Sequence, residues 1–230
     1  MEEVMQRIKK MLPIEMWISL FLVVACNTLA YYGSRLIAAG RYHYDLTSWI
    51  DVQIPFVPWT LGVYGGCYLF WIVNYVIGCR QDTEKAYRFI CADLCAKVVC
   101  LFCFLLFPTT NERPFIMGDS IWDEGMRLLY RIDTADNLFP SIHCLTSQFC
   151  LIAVRDNEKV PEWYGIMSLL IVVSICISTL TTKQHVLPDV AAGIVLAEAS
   201  YLFVDKCRMA EKYSFLIEKF TKKLWKGKTA

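Results

Sequence analysis

A chain of 230 residues and 26.5 kDa that is 56% hydrophobic and only 20% charged is too apolar to be disordered, and it exceeds the apolar content of an ordinary soluble domain. Its 23 lysines and arginines against 22 acidic residues leave a net charge of +1, which argues against a nucleic-acid partner recruited by bulk basicity. A mean hydropathy of +0.40 points instead to a bilayer.

Along the chain the apolar residues fall in runs, as a membrane demands, and not in the periodic scatter of a soluble core. A charged start at Arg7, Lys9 and Lys10 precedes the run Met16 to Ala39, which is too long for a signal-peptide core and reads as an uncleaved signal anchor. Further runs cover Trp59 to Cys79, Phe89 to Phe107, Ser141 to Val154, Trp163 to Leu180 and Asp189 to Val204, so the expectation is six candidate spans. The fourth is short and polar and the sixth carries Glu198, which places both inside a bundle, where such helices line sites. Lys97 in the third run and Glu198 read as the only charges that deep. Between the third and fourth runs, Ile121, Trp122, Met126, Leu129 and Tyr130 recur at helical spacing. They suggest either a short interfacial helix over Asp119 to Tyr130, with Arg127 and Arg131 turned to a site or to lipid headgroups, or a plain solvated loop. Beyond Lys206 a basic stretch with Phe215, Phe220, Leu224 and Trp225 reads either as an amphipathic helix resting on anionic lipid or as a solvated basic tail.

The expected fold is therefore all-α, a polytopic bundle of six transmembrane helices with short interfacial helices. It forms a single membrane domain over 1–230: an N-terminal segment 1–15, the bundle 16–206 and a basic tail 207–230. Charge geography sets the expected topology. With the N-terminus cytoplasmic, sixteen of the 23 cations fall on the cytoplasmic side, and only Arg35, Arg41, Arg113, Arg127, Arg131 and Lys183 fall outside.

Eleven cysteines suggest neither disulfides nor a metal, because Cys26, Cys67, Cys91, Cys95, Cys100, Cys103, Cys150 and Cys176 lie inside apolar runs as small hydrophobes. No cofactor and no metal site is expected. His43, between Tyr42 and Tyr44, reads as part of an interfacial aromatic belt.

Three polar constellations sit at the outer ends of spans: Pro108 to Pro114, Asn137 to His143, and Ser178 to Asp189. His185 and Asp189 are four residues apart, so the carboxylate can take the imidazole Nδ1 proton and leave Nε2 free. Pro188 places His185 just before a helix and Asp189 close to its N-terminus. Pro140 and Ser141 form a helix start beside His143, where backbone N–H groups favour an anion, and Arg113 supplies a fork of donors for phosphate oxygens. Two histidines, a carboxylate, an arginine and helix N-termini suit phosphoryl transfer without a metal.

At these residues the chain resembles the type 2 phosphatidic acid phosphatase superfamily, which shares an Arg-Pro motif, a Pro-Ser-x-His motif and a Ser-Arg-x5-His-x3-Asp motif. The resemblance covers about residues 100 to 205. It implies His185 as the nucleophile forming a phosphohistidine, Asp189 as its orienting carboxylate, His143 as general acid, and Arg113 with Ser141 as ligands of the phosphoryl group. Leu106 stands where the family has a lysine and Thr179 where it has an arginine, so either Lys183, Arg127 or Arg131 supplies the missing charge or the site binds its phosphoryl group differently. The Phe-Pro-Ser-x-His and Lys-Gln-His stretches are similar to the branch containing inositol phosphorylceramide and sphingomyelin synthases, so both hydrolysis and headgroup transfer fit. The expected partners are a lipid phosphate or phospholipid substrate and membrane lipids, with no nucleic acid. A non-catalytic lipid-phosphate binder or a headgroup transporter are the other readings, although no repeated halves or broken midplane helix favour transport.

Overall fold

The computed structural model describes residues 12–155 and 157–226, with the side chains of 224–226 set aside. The expected charged start at Arg7, Lys9 and Lys10 and the side chains of Leu224 and Trp225 lie outside the described residues. About 74% of the chain is helical, in nine helices among the described residues. In chain order they are α1 Ile14–Ala38, α2 Trp49–Gln53, α3 Pro58–Cys79, α4 Thr83–Leu106, α5 Ile121–Ile132, α6 Ile142–Val154, α7 Glu162–Thr181, α8 Leu187–Lys206 and α9 Met209–Lys226. Two strands of two residues each, β1 Tyr44–Asp45 and β2 Thr109–Thr110, pair in parallel with Tyr44 opposite Thr109.

Five helices, α1, α3, α4, α7 and α8, are long and apolar enough to cross a membrane. This makes the chain a multi-pass membrane protein. The fourth expected run gives α6, with only 13 residues, or roughly 20 Å at 1.5 Å per residue against about 30 Å of hydrocarbon. The sixfold expectation is therefore corrected to five span-length helices and one shorter apolar one. The reason is positional. From Cys144 to Cys150 every residue of α6 is buried, because α3, α4, α7 and α8 surround it, so α6 meets protein where the others meet lipid.

Large side chains fill the space between α4, α6 and α8, with Phe89, Phe104, Leu145 and Phe149 fully buried. Ala92, Ala96, Ala153 and Ala197 let the backbones approach closely, as small residues do between membrane helices. The outer faces carry exposed Phe21, Leu36, Leu69, Ile72, Phe102, Leu170 and Leu202, as a lipid-facing surface requires.

The depth of charge differs from the expectation. Lys97 is 2% exposed and donates from Nζ to both oxygens of Asp93, at 2.8 and 2.7 Å, with Asp93 fully buried. Asp93 is thus a third deep charge, overlooked because it sits in an otherwise apolar, cysteine-rich run. Glu198 takes two bonds from the Arg155 guanidinium, each 2.8 Å, and a third from Gln148 Nε2 at 2.6 Å.

The basic tail is helical as α9, and its placement adds to the expectation. One face docks on the bundle: Ile217 is buried, Tyr213 Oη donates to Ser19 Oγ at 2.9 Å, and Thr221 Oγ1 donates to Glu15 at 3.1 Å. Phe215, Leu216 and Phe220 remain exposed on the other side.

Candidate active site

The three polar constellations are drawn together by main-chain and side-chain bonds between distant loops. Thr109 Oγ1 accepts the N–H groups of Leu138 and Phe139 at 3.0 and 2.9 Å, and Asn111 Nδ2 donates to the Lys183 carbonyl at 3.0 Å. The loop at Pro108 to Pro114 therefore holds both of the others. Tyr130 Oη, from α5, donates to the Thr182 carbonyl at 2.8 Å. Helix α5 runs Ile121–Ile132 with a reciprocal cap between Ser120 and Asp123, matching the helical reading of Asp119 to Tyr130.

His185 lies in the turn before α8. The Thr179 carbonyl accepts the N–H groups of Gln184 and His185 at 3.0 and 3.1 Å, and Lys183 takes a φ of 55°, so the chain reverses sharply after α7. Asp189 is at the third helical position of α8. Its Oδ2 accepts the Val186 N–H at 3.1 Å and faces His185 Nδ1 at 3.3 Å. One carboxylate oxygen thus satisfies an orphan donor of the helix start and orients the imidazole. His185 is 7% exposed and Asp189 fully buried.

His143 occupies the first turn of α6, with its ring centroid 5.9 Å from that of His185. Tyr64 stacks on it at 4.5 Å, and Trp71 packs at 5.4 Å. Its Nε2 is buried without a protein partner. Ser141 caps α6, its Oγ accepting the Cys144 N–H at 3.3 Å while its own N–H donates to the Asp189 carbonyl at 3.0 Å. Ser141 therefore ties the two histidine-bearing helix starts to each other. Gly193 permits that approach: a Cβ there would meet the Ser141 carbonyl oxygen at 2.5 Å.

The expected cations divide. Arg113 packs its guanidinium on the Tyr130 ring at 4.6 Å, donates to Gln184 Oε1 at 2.7 Å and also reaches the Asp133 carbonyl. Burial pulls its guanidinium below the ordinary arginine value, against the pull of the Asp133 carboxylate, but it stays charged at neutral pH. Lys183 donates to the main-chain carbonyls of Asp51, at 2.9 Å, and Ile54. Arg127 is bound to Glu124 at 2.7 Å and to the Gly118 carbonyl at 2.9 Å on its own surface. Arg131 is exposed, and neither it nor Arg127 lines a cavity at the histidines. Leu106 is 72% exposed and Thr179 fully buried with its hydroxyl on the Cys176 carbonyl.

Two cavities meet at His185. One, of about 500 Å³, carries Arg113, Lys183 and Asn111 together with Asp45, Asp51 and Glu112. The other, of about 350 Å³, carries His143, four aromatic side chains and two aspartates. Sequence reasoning missed Asp51 and Asp133. Asp51 Oδ1 accepts the Leu187 N–H at 2.7 Å and so helps to hold the start of α8 behind His185. Ser48-x-x-Asp51, a reciprocal cap at α2, was the signal that could have found it. Asp133 Oδ2 accepts from Tyr64 Oη at 3.3 Å, and Tyr31 Oη binds its other oxygen; those partners lie too far along the chain for any local pattern to reveal.

The fold and site together define a multi-pass helical membrane protein with a paired-histidine, carboxylate-supported centre at one end of its bundle. The family model described as PAP2 superfamily matches residues 42–203, more than two thirds of the chain, and the protein belongs to that superfamily. Neither the curated proteins nor the solved structures compared with the chain give a match.

Proposed function

We propose that this protein is a lipid phosphate phosphatase or phosphotransferase that works through a phosphohistidine on His185. The observation that carries the reading is the assembly of His185, Asp189 and His143 from two separate helix starts, with Asp189 Oδ2 3.3 Å from His185 Nδ1 and the imidazole rings 5.9 Å apart. Asp189 holds the proton on Nδ1, so the Nε2 lone pair attacks phosphorus. The P–O bond to the leaving alcohol breaks while His143 donates a proton to that oxygen. In the second half an incoming hydroxyl loses its proton to His143, its oxygen bonds phosphorus, and the N–P bond breaks. Arg113, fixed by Tyr130 and Gln184, is the cation placed to take the charge that gathers on the phosphoryl oxygens. Lys183 shares its cavity, while Ser141 supports the helix start.

Whether water or a lipid alcohol accepts the phosphoryl group distinguishes hydrolysis from headgroup transfer. The positive-inside balance supports cytoplasmic termini and a site at the extracytoplasmic or lumenal face.

The test is to incubate purified protein with radiolabelled phospholipid, quench, and look for acid-labile phosphate on histidine. The label is expected on the wild type and absent from His185→Ala, with vanadate inhibiting turnover. Turnover persisting in His185→Ala and in His143→Ala would refute the reading, and saturable binding without any turnover would identify a binder or carrier.

A further inference from the structure

We propose that Gln184 is a catalytic residue whose Nε2 donates to a phosphoryl oxygen held at His185, supplying by a neutral amide what a cation supplies elsewhere in the family. This rests on the phosphoryl-transfer reading above and concerns how that same site grips its phosphoryl group. Leu106 and Thr179 bring no charge to it: Leu106 is 72% exposed, and Thr179 spends its hydroxyl on the Cys176 carbonyl. Lys183 is spent on the main-chain carbonyls of Asp51 and Ile54, and Arg127 on Glu124. Arg131 is exposed and lines neither cavity at the histidines.

Gln184 precedes the nucleophile in the chain and is 2% exposed. The two ends of its amide are used unequally. Oε1 accepts from Arg113 Nη2 at 2.7 Å, and because a guanidinium offers only donors, this contact fixes which end of the amide is the oxygen. Nε2 is the uncommitted end: it is buried and has no hydrogen-bond partner among the described residues. A buried amide donor is costly to leave unpaired, so an acceptor that enters beside it is bound strongly. The Gln184 side chain lines the cavity that also carries His143 and His185, and there the acceptor is the group that stands between the two imidazoles.

The backbone and the neighbouring cation serve the same arrangement. One carbonyl, that of Thr179, accepts the N–H groups of both Gln184 and His185, at 3.0 and 3.1 Å, so donor and nucleophile are positioned together. A phosphoryl group at His185 has Arg113 in one adjoining cavity and Gln184 in the other. The Arg113 bond to Oε1 polarises the amide and strengthens Nε2 as a donor. A neutral donor also suits the place, because burying a second cation beside Arg113 costs more desolvation than burying an amide. No proton leaves Gln184, which stays an amide while the N–P bond forms and later breaks.

The experiment compares full-length wild type with Gln184→Glu in vesicles containing phosphatidic acid or phosphatidylinositol, with orthovanadate as inhibitor. The variant keeps an oxygen for Arg113 and places a second oxygen where the donor was. Its kcat is expected to fall about 10²- to 10³-fold, as on removal of one oxyanion donor, and by more than KM rises. Vanadate should lose affinity by a factor similar to the loss in kcat/KM, with the melting temperature in detergent close to wild type. Gln184→Met removes both ends of the amide and is expected to lose at least as much turnover, which keeps the test alive where Gln184→Glu misfolds. Turnover within about threefold of wild type in either folded variant would overturn the assignment alone, leaving Gln184 at most a support for Arg113. No turnover of either lipid by the wild type would overturn it together with the phosphoryl-transfer reading.

Discussion

Two buried base–acid pairs stand four residues apart among the described residues, and their surroundings differ. In Asp93 and Lys97 the acid and base are both inside α4, both carboxylate oxygens are taken by one ammonium, and neither side chain lines a described cavity. In His185 and Asp189 the base lies before a helix start and the acid three positions into it, the contact is looser at 3.3 Å, and His185 opens onto two cavities. Spacing alone does not separate them. The first pair is closed on itself and serves as an internal strut of the bundle; the second keeps one nitrogen uncommitted and can act on a third molecule.

The largest effect expected from this contrast is on turnover. His185→Ala should lower kcat by on the order of 10⁴-fold or more, and Asp189→Asn by about 10²- to 10⁴-fold, with the melting temperature in detergent nearly unchanged. Assays with a lipid phosphate and parallel thermal melts check this. The sealed pair should give the opposite signature. Lys97→Met strands the Asp93 charge and should cost about 3–5 kcal/mol of stability, while the double variant Asp93→Leu with Lys97→Met recovers most of it. If Lys97→Met instead abolished turnover in a protein that melts normally, the division between strut and site would be wrong.

Much of this architecture was legible in the sequence, for reasons that also explain what was not. Span-length helices announce themselves because a bilayer needs unbroken apolar runs, and α1, α3, α7 and α8 appear within two residues of expectation while α4 starts six residues earlier, at Thr83. Helix α6 was legible as buried and polar, but its runs did not reveal that 13 residues are enough when other helices surround it. The juxtaposition of His143, His185 and Asp189 was foreshadowed by their position at helix starts. The cations were not so easily placed, because a long flexible side chain goes where an acceptor is: Lys183 reaches back to carbonyls at the end of α2, and Arg127 folds onto Glu124. Asp93 was lost among apolar neighbours, although its spacing from Lys97 is a usable signal.

A smaller effect is expected where the two histidine-bearing helices cross. Gly193→Ala would drive a Cβ to 2.5 Å from the Ser141 carbonyl oxygen, a backbone atom that cannot rotate away. Overpacking of this kind costs about 1–3 kcal/mol. Because Ser141 is bonded to the Asp189 carbonyl, the same shift should separate the histidines and lower kcat more than it raises KM. Gly193→Ala with wild-type kcat would show that the histidine spacing tolerates the strain.

The smallest effect concerns Asp51, which accepts the Leu187 N–H at the helix start between His185 and Asp189. Burial works to raise its carboxyl, but hydrogen bonds from Ser48 and the Leu187 N–H, with the Lys183 ammonium nearby, outweigh burial and hold it below the usual carboxylate range. A carboxyl depressed in the folded state stabilises above its unfolded value of about 3.9, and loses that contribution as pH falls through the folded value. The melting temperature of Asp51→Asn should therefore sit below wild type by a constant gap from about pH 5 upward, and the gap should close as the pH drops below about 4. A gap independent of pH would mean that Asp51 acts by shape and not by charge, leaving the Leu187 N–H bond to be made equally well by an amide oxygen.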